Sequence, residues 1–453
     1  MHDIIMGKVR STSLAIFIII SLLSCFEARS QILSLEDSES ATKISGQSIS
    51  PTHDIHASAE ETIPKNERYL YPDVIGVISL EDASTLESSN IDAYAPGQFS
   101  MNSMSDDKNL RLCNGLIARR IGQSGKKIVR SNGKRSRLKF HIEPNSGSVF
   151  SKKNGGWYLL SNSYSSYSGD KIWKSGGVGT FEFDADGNLK NYRRSLTFTN
   201  QNTGGGRTPW KSWISCSNSG CWQIDPKGAR QPSSTALALQ PDFQSFAYYI
   251  TEYDEPEFFV IQNLENGVLT RFRPNTLGMK CYHSDDPWCT LKNGSHDFLV
   301  LKDDYSFYWT ADISAATMSG FDFFRNTTWM EVEGKKLYLF SNVLNQVVSL
   351  NLKNMSFKML HGIQKLKPLV GNENFFFAKG RDIYLRMMKE EKFLPLMYAE
   401  NELLHETATI LFSPNQKHMY LTYQENGVVY DVTRSDNQTF DGRAVGLNYE
   451  ILL

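Results

Sequence analysis

From about residue 112 onward the chain is built of short runs in which apolar and polar residues alternate: "GWYLLSN", "GTFEFDADGNLKNYRRSL", "FAYYITEY", "PEFFVIQNLENGVLTRFRP", "DFLVLKDDYSFYWTADI", "KKLYLFSNVLNQVVSLNL", "NFFFAKGRDIYLRM" and "KHMYLTYQENGVVYDVTR". A period of two places one side chain in two on each face, the pattern of a half-buried strand. Many runs fold back through "ADGN", "ENG" or a similar turn, so they read as antiparallel hairpins. Hairpins repeated at regular spacing over about 340 residues imply one repeated antiparallel unit, and a β-propeller closes such units radially with only short edges exposed. The expectation is therefore an all-β fold over 111–453, a propeller of six blades. A two-sheet sandwich is too small for this length unless doubled.

The preceding segment has a different texture. Residues 31–110 are rich in Ser, Thr, Asp and Glu and poor in large apolar residues outside "YLYPDVIGVISL". Such a composition buries too little surface to offset its ordering entropy, which predicts a disordered acidic leader. Ahead of it, Lys8 and Arg10 precede the apolar run "LAIFIIISLLSC", and Ala28 and Ser30 are small residues around a cleavage point. Residues 1–30 read as a signal peptide, since the run is short of the ~20 residues that span a bilayer. A signal anchor is the competing reading. No later segment is apolar enough to cross a membrane as a helix, so no transmembrane span is expected after cleavage.

Charge and cysteine usage sharpen the setting. The 453 residues carry a formal net charge of -1, which excludes a global nucleic-acid-binding surface. Once Cys25 leaves with the signal, Cys113, Cys216, Cys221, Cys281 and Cys289 remain. Cys216 and Cys221 flank a hairpin loop, and Cys281 and Cys289 bracket "YHSDDPW". In an oxidising compartment these spacings predict two small-loop disulfides, with Cys113 free or paired between chains. A thiolate metal site would need further ligands at similar spacing. Asn293, Asn326, Asn354 and Asn437 open Asn-X-Ser/Thr triplets, candidate glycosylation sites of a secreted or extracellular protein.

Local chemistry is sparse. The basic stretch from Ala118 to His141 fits a solvated or leader-binding surface better than a polyanion site. Asp184, Asp186 and Asn188 read as a hairpin turn, with no glutamate at the twelfth position of a calcium loop. The histidines show no metal spacing, and no Gly-x-Ser-x-Gly elbow occurs. Gly204 to Gly206 read as a backbone device permitting angles forbidden to other residues, above a buried strand containing Trp213 and Ile214.

"GGVGTFEFDADGNLKNY", "NTGGGRTPWKSWISC", "CWQIDPKG", "GVLTRFRP", "WTADI" and "ETATILFSPNQKHMYLTYQENGVVYDVTR" occur in this order. In these motifs the chain from Leu112 to its end resembles the PhoX-type alkaline phosphatases. That resemblance implies a secreted six-bladed propeller that hydrolyses phosphate monoesters with calcium and iron in its central channel. The family's ligand positions are largely replaced. Its iron-binding cysteine corresponds to Thr203, and its two glutamates after "ISC" to Ser217 and Asn218. Its Thr-Glu-Asp corresponds to Ile261, Gln262 and Asn263. The glutamate of Asn-Thr-Glu-Gly corresponds to Thr328, and a later Thr-Glu pair to Ala378 and Lys379. Glu406 is retained.

Several hard anionic oxygens are needed to hold such a cluster and to neutralise transition-state charge. Their loss predicts a catalytically degenerate family member that acts as an extracellular binding or interaction module for an unknown ligand or protein, with no cofactor. The alternative is an active secreted phosphomonoesterase with a divergent calcium-dependent site, for which calcium and iron are the cofactors if the family's activity is retained.

Overall fold

The chain divides into two units, Met1–Tyr69 and Leu70–Leu453. A computed structural model describes residues 103–448, less 168, 219, 238–242, 263–266, 326, 342–345, 362–373, 388–391, 401–403 and 406, all in the second unit. The signal peptide and most of the acidic leader lie outside the described residues. The first strand, Ser103–Met104, falls within the segment assigned to that leader, and it pairs with Leu110–Leu112.

Strands dominate, as the period-two runs predict. Pro144–Ser151, Trp157–Ser163, Gly176–Phe183 and Leu189–Thr199 form one antiparallel meander. Thr327–Glu333, Lys336–Ser341, Gln346–Asn351 and Ser356–His361 form a second. A nine-stranded sheet runs from Ser233–Ser234 to Phe307–Thr310, and its two antiparallel halves join through one parallel pair, Gly205 with Ser245. The last two sheets borrow their closing strands from the start of the chain. Leu116–Gln123 completes Thr407–Phe412, His418–Tyr423 and Val428–Arg434. Leu110–Leu112 adds to Lys392–Ala399 in the sheet that also holds Asn374–Lys379 and Gly442–Asn448.

The core lies between sheets. Phe150, Leu160 and Val178 of the first meander meet Trp213 and Ile224 of the nine-stranded sheet. Ala247, Phe259 and Leu269 of that sheet meet Met330, Leu337 and Val348 of the second meander. Trp157, Phe181 and Phe183 pack with Tyr420 and Val429, so the first and last sheets are joined. Sheets covered on both faces explain why Trp213–Ser217 is buried throughout rather than in alternation. The fold is all-β and propeller-like.

Helices are few and locally dictated. Thr276–Tyr282 is capped by the Asn275 side chain, which accepts from Leu277 N at 3.0 Å and Gly278 N at 3.1 Å. Ile313–Phe324 is capped by Asp312, which accepts from Ser314 N at 2.9 Å. Both predicted disulfides are present. Cys216–Cys221 links directly opposed residues of a hairpin, and Cys281–Cys289 ties the first helix to the 3-10 turn Pro287–Lys292. Cys113 is free and buried, and burial pushes its thiol up to about 11.

Candidate functional site

The glycine run connects the first meander to the nine-stranded sheet, and every glycine there is required by clearance. A Cβ on Gly204 would lie 1.6 Å from Gln244 O, one on Gly205 1.9 Å from Ile214 O, and one on Gly206 2.2 Å from Phe246 O. Only Gly205 has a positive φ, at 159°, which is close to extended backbone. The backbone role expected from the sequence is therefore corrected in kind: close approach of neighbouring strands, rather than forbidden angles, demands glycine.

Beneath the run lies a seam of buried polar side chains. Asn162, fully buried, sits at its centre. Its Nδ2 donates to Ser146 Oγ and Gly204 O, both at 3.0 Å, and its Oδ1 accepts from Trp213 Nε1 and Ser215 Oγ, also at 3.0 Å. Asn202 Nδ2 donates to Ser215 Oγ at 2.9 Å, and its Oδ1 accepts from Thr199 Oγ1 at 2.6 Å. Ser146 Oγ also donates to Thr203 O. All four bonding directions of Asn162 are thereby used, which removes the penalty of burying an amide. No motif in the sequence flagged Asn162 or Ser146. The available signal was "LLSNS" itself, a polar end on a strand otherwise fully apolar.

The positions matched to metal ligands can now be placed. Thr203 precedes Gly205–Arg207, and its N–H donates to Cys216 O at 3.1 Å. Ser217 ends Trp213–Ser217, and its Oγ donates to Gly220 O at 3.1 Å. Asn218 donates from its backbone to Asn200 O at 3.2 Å and from its side chain to Gln201 Oε1. These three come together around the glycine run. Gln262 ends Pro256–Gln262 opposite Phe243, and Thr328 follows the first residue of Thr327–Glu333, where the register shifts. Asn263 and Glu406 lie outside the described residues, as does the sequon residue Asn326. Asn293, Asn354 and Asn437 are exposed. Ala378 and Lys379 fall at the end of Asn374–Lys379, beside its hairpin to Asp382.

The segment that carries the run holds no acid. Between Thr199 and Asn218 the charged residues are Arg207 and Lys211, both basic. Arg207 Nε donates to Ser148 Oγ at 2.7 Å, with its guanidinium 4.8 Å from the Phe150 ring centre. The donors present, a threonine, a serine and an asparagine, are neutral, and the serine and asparagine side chains already bond to Gly220 O and Gln201 Oε1. They do not fit a centre that needs a thiolate and hard anionic oxygens. Among the described residues no group of three or more His, Cys, Asp or Glu side chains could hold a metal ion.

His141 and His418 serve packing. His141 is fully buried, with Nδ1 2.9 Å from Tyr192 Oη and Nε2 3.2 Å from Ser161 Oγ. Burial, aided by the Arg194 charge, holds its pKa well below the ordinary imidazole value. Burial also pushes Tyr192 up to about 12. His418 Nδ1 lies 2.8 Å from Asp431 Oδ1, and Arg119 reaches the other oxygen of that buried carboxylate at 3.1 Å. The "DADGN" segment is a turn: Asp184 Oδ1 accepts from Asp186 N at 3.1 Å and Asn188 N at 2.8 Å, and Lys190 pairs with Asp184 at 2.7 Å.

Comparison with known proteins supports this architecture and goes no further. The chain is similar in structure to Pseudomonas fluorescens PhoX in complex with vanadate, a transition state analogue, with a TM-score of 0.53 and 12% identity over 74% of this chain and 97% of that one. A second likeness, to the Myceliophteria thermophila Cps50 (Swd1) β-propeller domain, has a TM-score of 0.33 at 9% identity, over 65% of this chain and 97% of that one. No family model and no curated relative matches the chain. At such identity the likeness shows the fold alone.

Proposed function

We propose that this chain is a secreted, six-bladed, PhoX-like propeller whose metal site has been dismantled, and that it acts outside the cell as a binding or interaction module. The observation that carries the reading is the glycine-run site. Thr203, Ser217 and Asn218 are neutral, hydrogen-bonded within the protein, and share their segment with Arg207 and Lys211. A multi-metal phosphatase needs concentrated negative charge there to hold its ions and to offset charge in the transition state.

Dividing the nine-stranded sheet at its single parallel pair gives two groups of strands beside the four other sheets of four or more strands, which supports a reading of six blades. Two disulfides and three exposed sequons support secretion. A propeller gathers loops from every blade at its two ends, which suits a binding platform without naming the ligand.

Elemental analysis of the purified protein, paired with hydrolysis of a generic phosphate monoester, tests the reading. It should carry no stoichiometric iron, and hydrolysis should stay at background with or without added calcium. About one or more irons per chain, together with hydrolysis abolished by chelator, would instead establish a divergent phosphomonoesterase.

A further inference from the structure

Strands Lys127–Val129 and Arg135–Lys139 form a two-stranded ribbon separate from every larger sheet. The segment Lys126 to Lys139 holds seven lysines and arginines and no acid. Six of these seven are exposed, and among the described residues none makes an ion pair. Alternation sets Arg135, Arg137 and Lys139 on the outward face, while Ser136 and Leu138 turn inward. Ser136 Oγ accepts from Ile128 N at 2.9 Å, which holds the ribbon's two strands in place. The register sets Lys127 directly opposite Lys139, a like-charge cross-strand contact that destabilises an isolated hairpin. Lys139 finds partial relief over the Trp173 ring, 5.1 Å from its centre.

The complementary charge lies in the same unit of the chain. Residues 70–102 carry five acids, Asp73, Glu81, Asp82, Glu87 and Asp92, and no lysine or arginine, whereas residues 103–453 carry 42 basic and 35 acidic side chains. The segment ends at Ser103–Met104, and the next two acids already rest on the basic stretch. Asp107 pairs with Arg120 at 3.0 Å, and Arg120 N donates to Asp106 Oδ1 at 3.2 Å. Lys126 lies six residues beyond Arg120 along the chain, roughly 20 Å at strand rise. A tether of this length reaches on the order of 100 Å when extended, and tethering raises the local carboxylate concentration to about the millimolar range.

We propose that residues 70–102 dock through their carboxylates on the outward face of the Lys127–Lys139 ribbon. This surface is distinct from the glycine-run site. Docking relieves the like-charge contact and covers the ribbon's outward lysines and arginines.

Zero-length carbodiimide coupling of dilute full-length protein, mapped by peptide mass spectrometry, reads the contact directly. Links are expected from Lys127 or Lys139 to the five acids, at a yield independent of protein concentration. R135E/R137E keeps both reactive lysines but reverses the field beside them. Its link yield should fall about fivefold or more, as should the wild-type yield in about 0.5 M salt. Unchanged yield in the variant, or links that grow with protein concentration, overturns the proposal. If R135E/R137E fails to fold, the full-length variant D73N/E81Q/D82N/E87Q/D92N gives an independent reading. It should elute from a heparin column at higher salt than wild type because the ribbon is uncovered. Equal elution overturns the proposal and leaves the ribbon as a free surface for an acidic polysaccharide or an anionic lipid.

Discussion

His141 and Asn162 show how single residues serve this interior. Asn162 makes four hydrogen bonds with no charge, which holds the glycine run against Trp213. His141 is held neutral by burial and by Arg194. The linkage sign follows from that depression. The unfolded chain takes up a proton near pH 6.5 while the native state does not, so the stabilisation is complete above that pH and is lost as pH falls below it. Denaturant unfolding between pH 7.5 and 5 should show stability dropping by up to about 1.4 kcal/mol per pH unit from this group. H141Q should flatten the dependence by about one proton. An unchanged slope in the variant would remove His141 from the account.

At the scale of elements, the decisive feature is the parallel contact between Gly205 and Ser245, which brings two antiparallel systems edge to edge. Gly204→Ala places a methyl group 1.6 Å from a backbone oxygen, and neither strand can yield without breaking the pairing. Gly133, at the tip of the basic ribbon, has φ 78° and nothing within 4 Å, so its substitution strains only the local backbone. Chemical denaturation should place G204A at a cost of about 3 kcal/mol or more, and G133A at about 1–2 kcal/mol. Equal costs would mean that the run is flexible enough to absorb a side chain. The Cys216–Cys221 bond braces the adjoining hairpin, although a loop this short constrains the unfolded chain least.

The described part of the second unit closes by pairing its first strands with its last sheets. Leu110 and Leu112 are fully buried in a sheet whose other strands, Ser103–Met104 apart, come from residues beyond 370, and Trp157 Nε1 donates to Tyr420 Oη at 2.9 Å across the joint between first and last sheets. Sheets that share clusters with both neighbours should unfold together. L110A/L112A should therefore lower the melting temperature of the whole described domain in one calorimetric transition. Truncating two buried leucines costs roughly 4–8 kcal/mol, enough for a fall on the order of 10 °C. A separate early transition confined to the last sheets would show that closure is not shared.

Much of this was legible in the residues because it is local. Alternation, turn chemistry and cysteine spacing involve neighbours a few positions apart, so the strands, their hairpins and both disulfides could be read directly, as could the all-β class. The motifs from Leu112 onward carried the likeness that the fold then supported. What the chain alone left undecided involves distant partners. Gly204 needs no side chain because Gln244, forty positions away, brings a carbonyl against it. Asn162 acquires its role from Trp213 and Ser215, more than fifty positions on. Ala378 and Lys379, matched by motif to the metal positions, fall at the hairpin end of their strand because its direction and register, and not residue type, decide which end of a sheet a side chain occupies. Local sequence sets the period and the turns, while burial between sheets is a property of the packed whole, and only there do clearance and hydrogen-bond satisfaction select the residue.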